Sequence, residues 1–349
     1  MKSYQFEEYG EELVENVAAE PSVAGGQVLI KISACGVCHS DIHIWEGYFG
    51  LGGDKKLDIK GKRKLPFTLG HEIVGEVVAV GPDVTSVKVG EQHVVYPWIG
   101  CDECPTCDAG NGHLCNRPRA LGVDVDGGYS DHLLVPHEKY LLDYGDLPKE
   151  LACTYTCSGL TAYSAIKKVK PLADNGTLMI IGCGGVGLAG MAIVKSVTNA
   201  KVYVADIDPE KRQAGLDAGA EAAFDPNDRD QFKEIMRLTD GGVNAAIDFV
   251  GAESSARFGA SILAKAGRLV IVGLFGGNFS LPLPMFPIKA IGIEGSMVGS
   301  LAEMHELMEL AKAGKLNALT LDERPMNEAY NALTDLQKGN VVGRVVLKN

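Results

Sequence analysis

The sequence predicts an α/β protein in two parts, a β-rich unit and a doubly wound parallel sheet. Three observations carry this. The run Thr177-Leu178-Met179-Ile180-Ile181 is apolar without polar alternation, as in a strand buried on both faces. It leads into Gly182-Cys183-Gly184-Gly185-Val186-Gly187 and then an apolar helical stretch over residues 188–197, and two more runs of buried-strand type, 245–251 and 267–274, follow as further βα units. Residues 1–35, by contrast, read as short strands and turns, and eight of the nine cysteines precede the apolar run at 177.

At 349 residues the chain is long enough for two domains, each with its own core. It is 46% hydrophobic with 43 glycines and 15 prolines, which suits a turn-rich folded protein and argues against disorder. No apolar run reaches membrane-spanning length. The first residues, Met1-Lys2-Ser3-Tyr4-Gln5-Phe6-Glu7-Glu8, lack an apolar signal core, so the expectation is a cytoplasmic protein with no membrane partner. The formal charge, 33 − 45 = −12, disfavours nucleic acid and anionic lipid as partners. An odd number of cysteines in a reducing setting argues against a disulfide framework and for metal binding by the clustered ones.

Along the chain, residues 27–34 have the β-branched, alternating character of a strand. They end at Gly36-Val37-Cys38-His39-Ser40-Asp41-Ile42-His43, where a thiol, a hydroxyl, a carboxylate and two imidazoles fall within eight residues. Cys38 can bind a metal as thiolate, and Ser40 and His43 are groups able to pass a proton away from it. Trp45, Tyr48 and Phe49 follow. A polar stretch, 50–64, then carries Lys55, Lys56, Lys60, Lys62, Arg63 and Lys64 against Asp54 and Asp58. A solvated surface loop is the expectation there; a basic rim or lid at a substrate mouth is the alternative. His71 and Glu72 open an apolar strand over 73–81. A lone histidine is more often structural than a ligand, but this one starts a strand beside a carboxylate and follows the Cys38 segment, which adds weight to a metal role.

Cys101, Cys104 and Cys107 at intervals of three, with Cys115 eight residues on, form the most specific signal in the chain. Four thiolates wrap one ion tetrahedrally, at metal–sulfur distances of about 2.3 Å, and leave no open position. This site is expected to be structural, its metal holding together a lobe with little core of its own. Residues 127–135 resume β character. A helix over 153–168 holds Cys153 and Cys157 one turn apart, so spacing alone does not separate them as ligands.

The glycine run is followed by a strand-like stretch, 201–205, and by Asp206, 24 residues after Gly182. Strand, G-x-G-x-x-G, helix and acid together make the dinucleotide fingerprint of the Rossmann fold. Gly182, Gly184, Gly185, Val186 and Gly187 let the main chain approach a pyrophosphate, and the helix start offers it free N–H groups. Asp206 would accept hydrogen bonds from the adenosine ribose and repel a 2′-phosphate, favouring NAD over NADP; Lys211 and Arg212 nearby soften that preference. Phe249, Val272 and Leu274, at the ends of later strands, are expected to line the cofactor. Residues 291–297 read as the last strand of this unit, 301–313 as an amphipathic helix and 341–347 as a final strand.

Gly36-Val37-Cys38-His39-Ser40-Asp41, Leu69-Gly70-His71-Glu72, the four-cysteine lobe, Cys157-Ser158-Gly159-Leu160-Thr161-Ala162-Tyr163 and the glycine run with Asp206 span nearly the whole chain. In these motifs the sequence resembles a zinc-dependent medium-chain alcohol dehydrogenase. The resemblance implies a GroES-like β-rich catalytic domain over 1–157, with the structural-zinc lobe at about 95–118. It also implies an NAD-binding Rossmann domain over 158–297 and a return to the catalytic domain over 298–349. Cys38, His71 and Cys157 would ligate a catalytic zinc, the Cys₂His set of such enzymes. Cys157 is preferred to Cys153 because the residues after it match the family. Cys101, Cys104, Cys107 and Cys115 would hold a structural zinc, making two per subunit. Glu72 would act near the metal. Ser40 would take the alcohol proton and pass it through the nicotinamide ribose toward His43, and Asp41 would steady the zinc-bound histidine. His39 and Arg344 fall where the family places basic groups near the pyrophosphate, and Thr161 where it touches the nicotinamide.

The implied activity is hydride transfer between NAD(H) and a primary or secondary alcohol, aldehyde or ketone. Trp45, Tyr48, Phe49, Trp98 and Met297 are candidate pocket walls, suiting a medium-sized, aromatic or cyclic substrate. The alternatives are a polyol or amino-alcohol dehydrogenase on the same scaffold, a zinc-free quinone or enone reductase, and a non-catalytic dinucleotide-binding protein. The resemblance also implies a homo-oligomer, a tetramer ahead of a dimer.

Overall fold

The computed structural model describes the whole chain, Met1–Asn349. The β-rich unit is built on a seven-stranded sheet whose central strand is Val28–Gly36. Glu72–Val80 pairs antiparallel along one edge of that strand. On the other edge, His132–Val135 takes its first half and Arg344–Lys348 its last three residues. Gln92–Val95 and Leu141–Leu142 extend the sheet beyond Glu72–Val80, and Leu321–Pro325 extends it beyond Arg344–Lys348. The last residues of the chain therefore share a core with the first. This matters for function, because Arg344 is carried to the strand end from which Cys38 follows.

The second unit is a six-stranded sheet, all parallel, in the spatial order Ala222–Phe224, Lys201–Ala205, Thr177–Ile181, Val243–Asp248, Leu263–Ile271, Gly292–Gly295. The first strand in sequence is central, and Leu178, Met179 and Ile180 are fully buried, as their unbroken apolar character requires. The chain builds outward from this strand on one side, then crosses to Val243–Asp248 on the other. That reversal opens a crevice at the carboxyl ends of the two strands, the place where such sheets bind ligands. No helix is long and apolar enough to cross a membrane.

Several expectations need adjustment. The helix expected over 153–168 is three pieces: Lys149–Thr154, a wide π-turn over Tyr155–Gly159, and Leu160–Ala173. The final strand starts at Arg344 rather than 341, because Gly343 turns the chain at a φ of 87°. Most of the stretch 50–64 is exposed, as a solvated surface segment would be, but it carries regular structure. Tyr48–Gly50 pairs with Lys56–Asp58 as a hairpin, and Lys60–Lys62 makes a short 3₁₀ turn. Its cations are partly spoken for by aromatic rings. The Lys56 ammonium lies 3.6 Å from the Tyr48 ring centre and that of Lys60 lies 5.4 Å from Tyr9. The hairpin tip rests on the second unit, where Asn278 Nδ2 donates to the Leu51 carbonyl at 3.4 Å.

Candidate active site

Three elements bring Cys38, His71 and Cys157 together. Cys38 precedes the helix His39–Glu46, His71 precedes the strand Glu72–Val80, and Cys157 sits in the middle of the π-turn. All three are buried, and their ligand atoms lie within 4.8 Å of one another. The two sulfurs are 3.9 Å apart. A tetrahedron with metal–sulfur bonds of about 2.3 Å has sulfur–sulfur edges of about 3.8 Å, so the spacing suits zinc. His71 Nδ1 is engaged by Asp41, while its Nε2 is buried without a partner. An orphaned buried nitrogen costs about 1–3 kcal/mol, and a metal between it and the two sulfurs would remove that cost. Cys153 stands apart from this group: it is buried, and its thiol donates to the Glu150 carbonyl at 3.2 Å.

Electrostatics prepare the same set. The hydrogen bond from the Cys157 thiol, with help from His71, holds Cys38 well below the ordinary thiol range, while the same bond pushes Cys157 well above it. The contact between the two sulfurs thus favours the thiolate, the form that binds metal, at Cys38. Burial opposes protonation of His71, but the Asp41 carboxylate and the Cys38 thiolate outweigh it and raise its pKa well above the usual imidazole value.

Asp41 organises the site from behind. Its Oδ1 meets His71 Nδ1 at 3.0 Å and the Gly70 N–H at 3.4 Å. Its Oδ2 accepts from the Cys38 N–H at 2.9 Å and the Tyr129 hydroxyl at 3.0 Å. Position 70 must be glycine: φ is 95°, and a Cβ there would lie 2.5 Å from the Tyr129 ring.

Glu72 is fully buried, and burial raises its pKa to about 7, against the pull of Arg344. Its Oε1 accepts the Ser158 N–H at 3.0 Å, and its Oε2 pairs with the Arg344 guanidinium. Gly36 makes the room, since a Cβ there would stand 2.0 Å from Glu72 Oε2. Arg344 also reaches the second unit: a Cβ at Gly185 would lie 2.7 Å from its Cδ. One arginine thus touches both the carboxylate beside the metal ligands and the first turn of the glycine-rich helix.

Ser40 and His43 are half-buried and three residues apart on one helix, hence on one face. The His43 ring lies 5.0 Å from Phe49, and burial lowers its pKa. His39 is exposed, with its ring 5.4 Å from that of Phe275. Trp98 packs edge-on to His71 at 5.3 Å. Trp45 does not belong to a pocket. Its indole donates to the Glu11 carbonyl at 2.6 Å and its ring meets Tyr330, so it is core. Met297 is 57% exposed and, with Val272 and Leu274, lines a cleft of 870 Å³ that reaches Leu114 of the cysteine lobe. None of Cys38, His71 and Cys157 lines this cleft.

In the crevice, Gly182 has a φ of 89°, and a Cβ at Gly187 would lie 1.8 Å from the Gly182 carbonyl. A Cβ on Gly184 would meet nothing, which leaves open space before the helix Gly185–Val197, whose first N–H groups are free for a pyrophosphate. Asp206 accepts the Cys183 N–H at 2.8 Å, which fixes it against the glycine turn. Arg212 donates to the Asp206 and Ile207 carbonyls at 2.8 and 3.0 Å. Thr161 is buried one turn beyond Cys157, and Phe249 packs against Gly190 of the glycine-rich helix.

The four cysteines of the lobe also gather within 4.8 Å, with Cys104–Cys107 and Cys104–Cys115 sulfur separations of 3.6 and 3.8 Å. The N–H groups of Cys101 and Arg117 donate to the Cys115 sulfur. The set fits a closed four-sulfur zinc site. Sequence reasoning missed Tyr129, Ser158 and Gly36. Gly36 and Ser158 lie inside motifs, but the partners that give the three their roles are remote: Tyr129 lies 88 residues from Asp41, and Ser158 lies 86 from Glu72.

Comparison with known proteins agrees with this geometry. Residues 24–146 match the alcohol dehydrogenase GroES-like domain, and residues 185–313 match the zinc-binding dehydrogenase domain. The chain is 38% identical to an NAD-dependent alcohol dehydrogenase of Sulfurisphaera tokodaii, over 99% of both chains. It is 37% identical, again over 99% of each, to one from Saccharolobus solfataricus. Among solved structures, an alcohol dehydrogenase from Aeropyrum pernix superposes with a TM-score of 0.89 at 31% identity, covering 100% of both chains.

Proposed function

The chain belongs to the zinc-dependent medium-chain alcohol dehydrogenases, and from that premise we propose that it oxidises primary or secondary alcohols with NAD⁺ and catalyses the reverse reduction of aldehydes and ketones. The observation that carries this reading is the buried Cys38–His71–Cys157 set with an orphaned Nε2. Zinc held there would act as a Lewis acid on the substrate oxygen, and NAD⁺ in the crevice would accept hydride. The chain's own residues do the rest. Ser40 Oγ takes the hydroxyl proton and His43 carries it to solvent. Asp41 holds His71 in the tautomer that leaves Nε2 free. Asp206 selects the unphosphorylated ribose, and Arg344 with the glycine-rich helix receives the pyrophosphate. Glu72 stays close enough to the ligand set to assist ligand exchange.

We propose two zinc ions per chain, one in each cysteine-containing set, and a tetrameric assembly, to be read by metal analysis and sedimentation. Trp98 beside His71 and Phe49 beside His43 support an apolar, medium-sized, aromatic or cyclic substrate. The test is an initial-rate panel of linear, cyclic and aromatic alcohols with NAD⁺ and NADP⁺, run beside the Cys38→Ser variant. The variant should lose alcohol oxidation while still binding NADH. Full turnover by Cys38→Ser would remove zinc catalysis from the account.

A further inference from the structure

We infer that Trp98 is a positioning residue that clamps two of the three catalytic ligands to each other. His71 and Cys157 are 86 residues apart in sequence, on a strand start and a π-turn that share no regular backbone pairing. Trp98 touches both. Its indole N–H donates to the carbonyl of Thr156, the residue before Cys157, at 2.9 Å, and its ring packs edge-on against the His71 imidazole at 5.3 Å. Thr156 closes the same loop of contacts, its hydroxyl lying 2.9 Å from the Cys153 carbonyl and 3.5 Å from that of His71.

Trp98 is itself held rigidly. It is 6% exposed, and the chain on either side is anchored to the segment returning from the cysteine lobe. There Leu121 N–H donates to the Pro97 carbonyl at 3.0 Å and Arg119 N–H to the Ile99 carbonyl at 2.8 Å. An indole fixed in this way sets the distance and tilt between the imidazole and the sulfur. A mere pocket wall would need its ring face, not its N–H, and would have no reason to hold Thr156.

This inference rests on Cys38, His71 and Cys157 being the catalytic zinc site, and the test separates the two. Trp98→Phe removes the indole N–H and keeps a ring. Trp45→Phe is the matched control. Trp45 is the only other tryptophan, is equally buried and also donates to a main-chain carbonyl, but lies away from the ligands. Zinc release to a chromophoric chelator is followed under native conditions, and the visible bands of the cobalt-substituted proteins are recorded.

In Trp98→Phe the catalytic zinc should leave about 10-fold faster and the cobalt bands should shift, as when groups that orient metal ligands are removed. The lobe zinc and the Trp45→Phe protein should behave as wild type. Wild-type release and unchanged bands in Trp98→Phe would overturn the inference while leaving the zinc site intact. A wild-type protein that carries metal only in the lobe would overturn the zinc-site reading, and the inference with it. Trp98→Tyr gives the same readout if the phenylalanine variant does not fold.

Discussion

Asp41→Asn changes one atom and almost no volume, and the structure says it should cost the protein its catalytic metal. The carboxylate accepts four hydrogen bonds, two at each oxygen, and every donor is buried or nearly so. An amide offers one acceptor oxygen and one NH₂. If the NH₂ replaces Oδ2, the Tyr129 hydroxyl can turn to accept from it, but the Cys38 N–H is left facing a donor. If the NH₂ replaces Oδ1, it donates to His71 Nδ1, and the imidazole must carry its proton on Nε2, the atom needed for the metal. Either orientation fails. Orphaning one buried donor costs about 1–3 kcal/mol, and a hydrogen bond to a charged group contributes about 1.5–3 kcal/mol. A loss of about 2–4 kcal/mol in stability is expected, together with a 10–100-fold weaker catalytic metal site. Competition between the apoprotein and a chelator of known affinity measures the second quantity, and thermal unfolding of the holoprotein measures the first. A variant that binds zinc as tightly as wild type would refute the idea that Asp41 sets the tautomer of His71.

Three other perturbations address different parts of the molecule. Asp206→Ser should lower kcat/KM with NAD⁺ roughly 10–100-fold, the loss of a hydrogen bond to a charged acceptor, and raise the ratio of NADP⁺ to NAD⁺ use; an unchanged ratio would misplace the ribose contact. Gly36→Ala should push Glu72 off Arg344, because the new Cβ would lie 2.0 Å from the carboxylate oxygen. The expected result is a cost of about 1–3 kcal/mol from overpacking and reduced kcat, with lobe zinc retained on metal analysis. Glu138 accepts hydrogen bonds from the hydroxyls and N–H groups of Ser86 and Thr85, which lower its pKa to about 2. The unfolded chain binds this proton more readily, so its contribution is present above about pH 4.5 and fades as pH falls toward 2. The gap in melting temperature between wild type and Glu138→Gln should be constant from pH 7 to 5 and narrow below 4.5; a gap that widens on acidification would mean the carboxylate is not stabilising.

What could be read from the sequence follows the range of the interactions. The dinucleotide half was legible because strand, glycine turn, helix and acid all lie within 30 consecutive residues. The lobe was legible because thiols spaced by three wrap one ion without help from elsewhere. Cys153 and Cys157 were not separable by spacing, since a regular helix would present both on one face. The wide turn over Tyr155–Gly159 decides between them, and nothing local announces it. Trp45 and Trp98 read alike in sequence, as aromatic residues near metal-binding segments. One is core and the other touches His71, a distinction made only when strands distant in sequence pair. The Lys-rich stretch read as solvent-exposed because six cations face only Asp54 and Asp58, and most of it is exposed; what the pattern did not show is that Lys56 and Lys60 lie over tyrosine rings.

The buried Glu72–Arg344 pair is best explained by position rather than by stability. Both side chains are nearly inaccessible, at 0% and 3% exposure. Taking two ions out of water costs several kcal/mol each, and replacing such a pair by apolar groups is often neutral or stabilising. A fold selecting for stability alone had no need of it, and less need of a glycine at 36 to make space for it. The pair does join three things that no apolar contact could: the turn carrying Cys157, through the Ser158 N–H; the strand opened by His71; and the helix start at Gly185. Arg344 also opens the strand that joins the end of the chain to the central strand Val28–Gly36. The cation placed where a pyrophosphate would bind is therefore the same one that fixes the carboxylate beside His71: Nη2 pairs with Glu72 while Nε has no partner, so an anion arriving at the glycine turn would meet a guanidinium already anchored on one side and still able to donate on another.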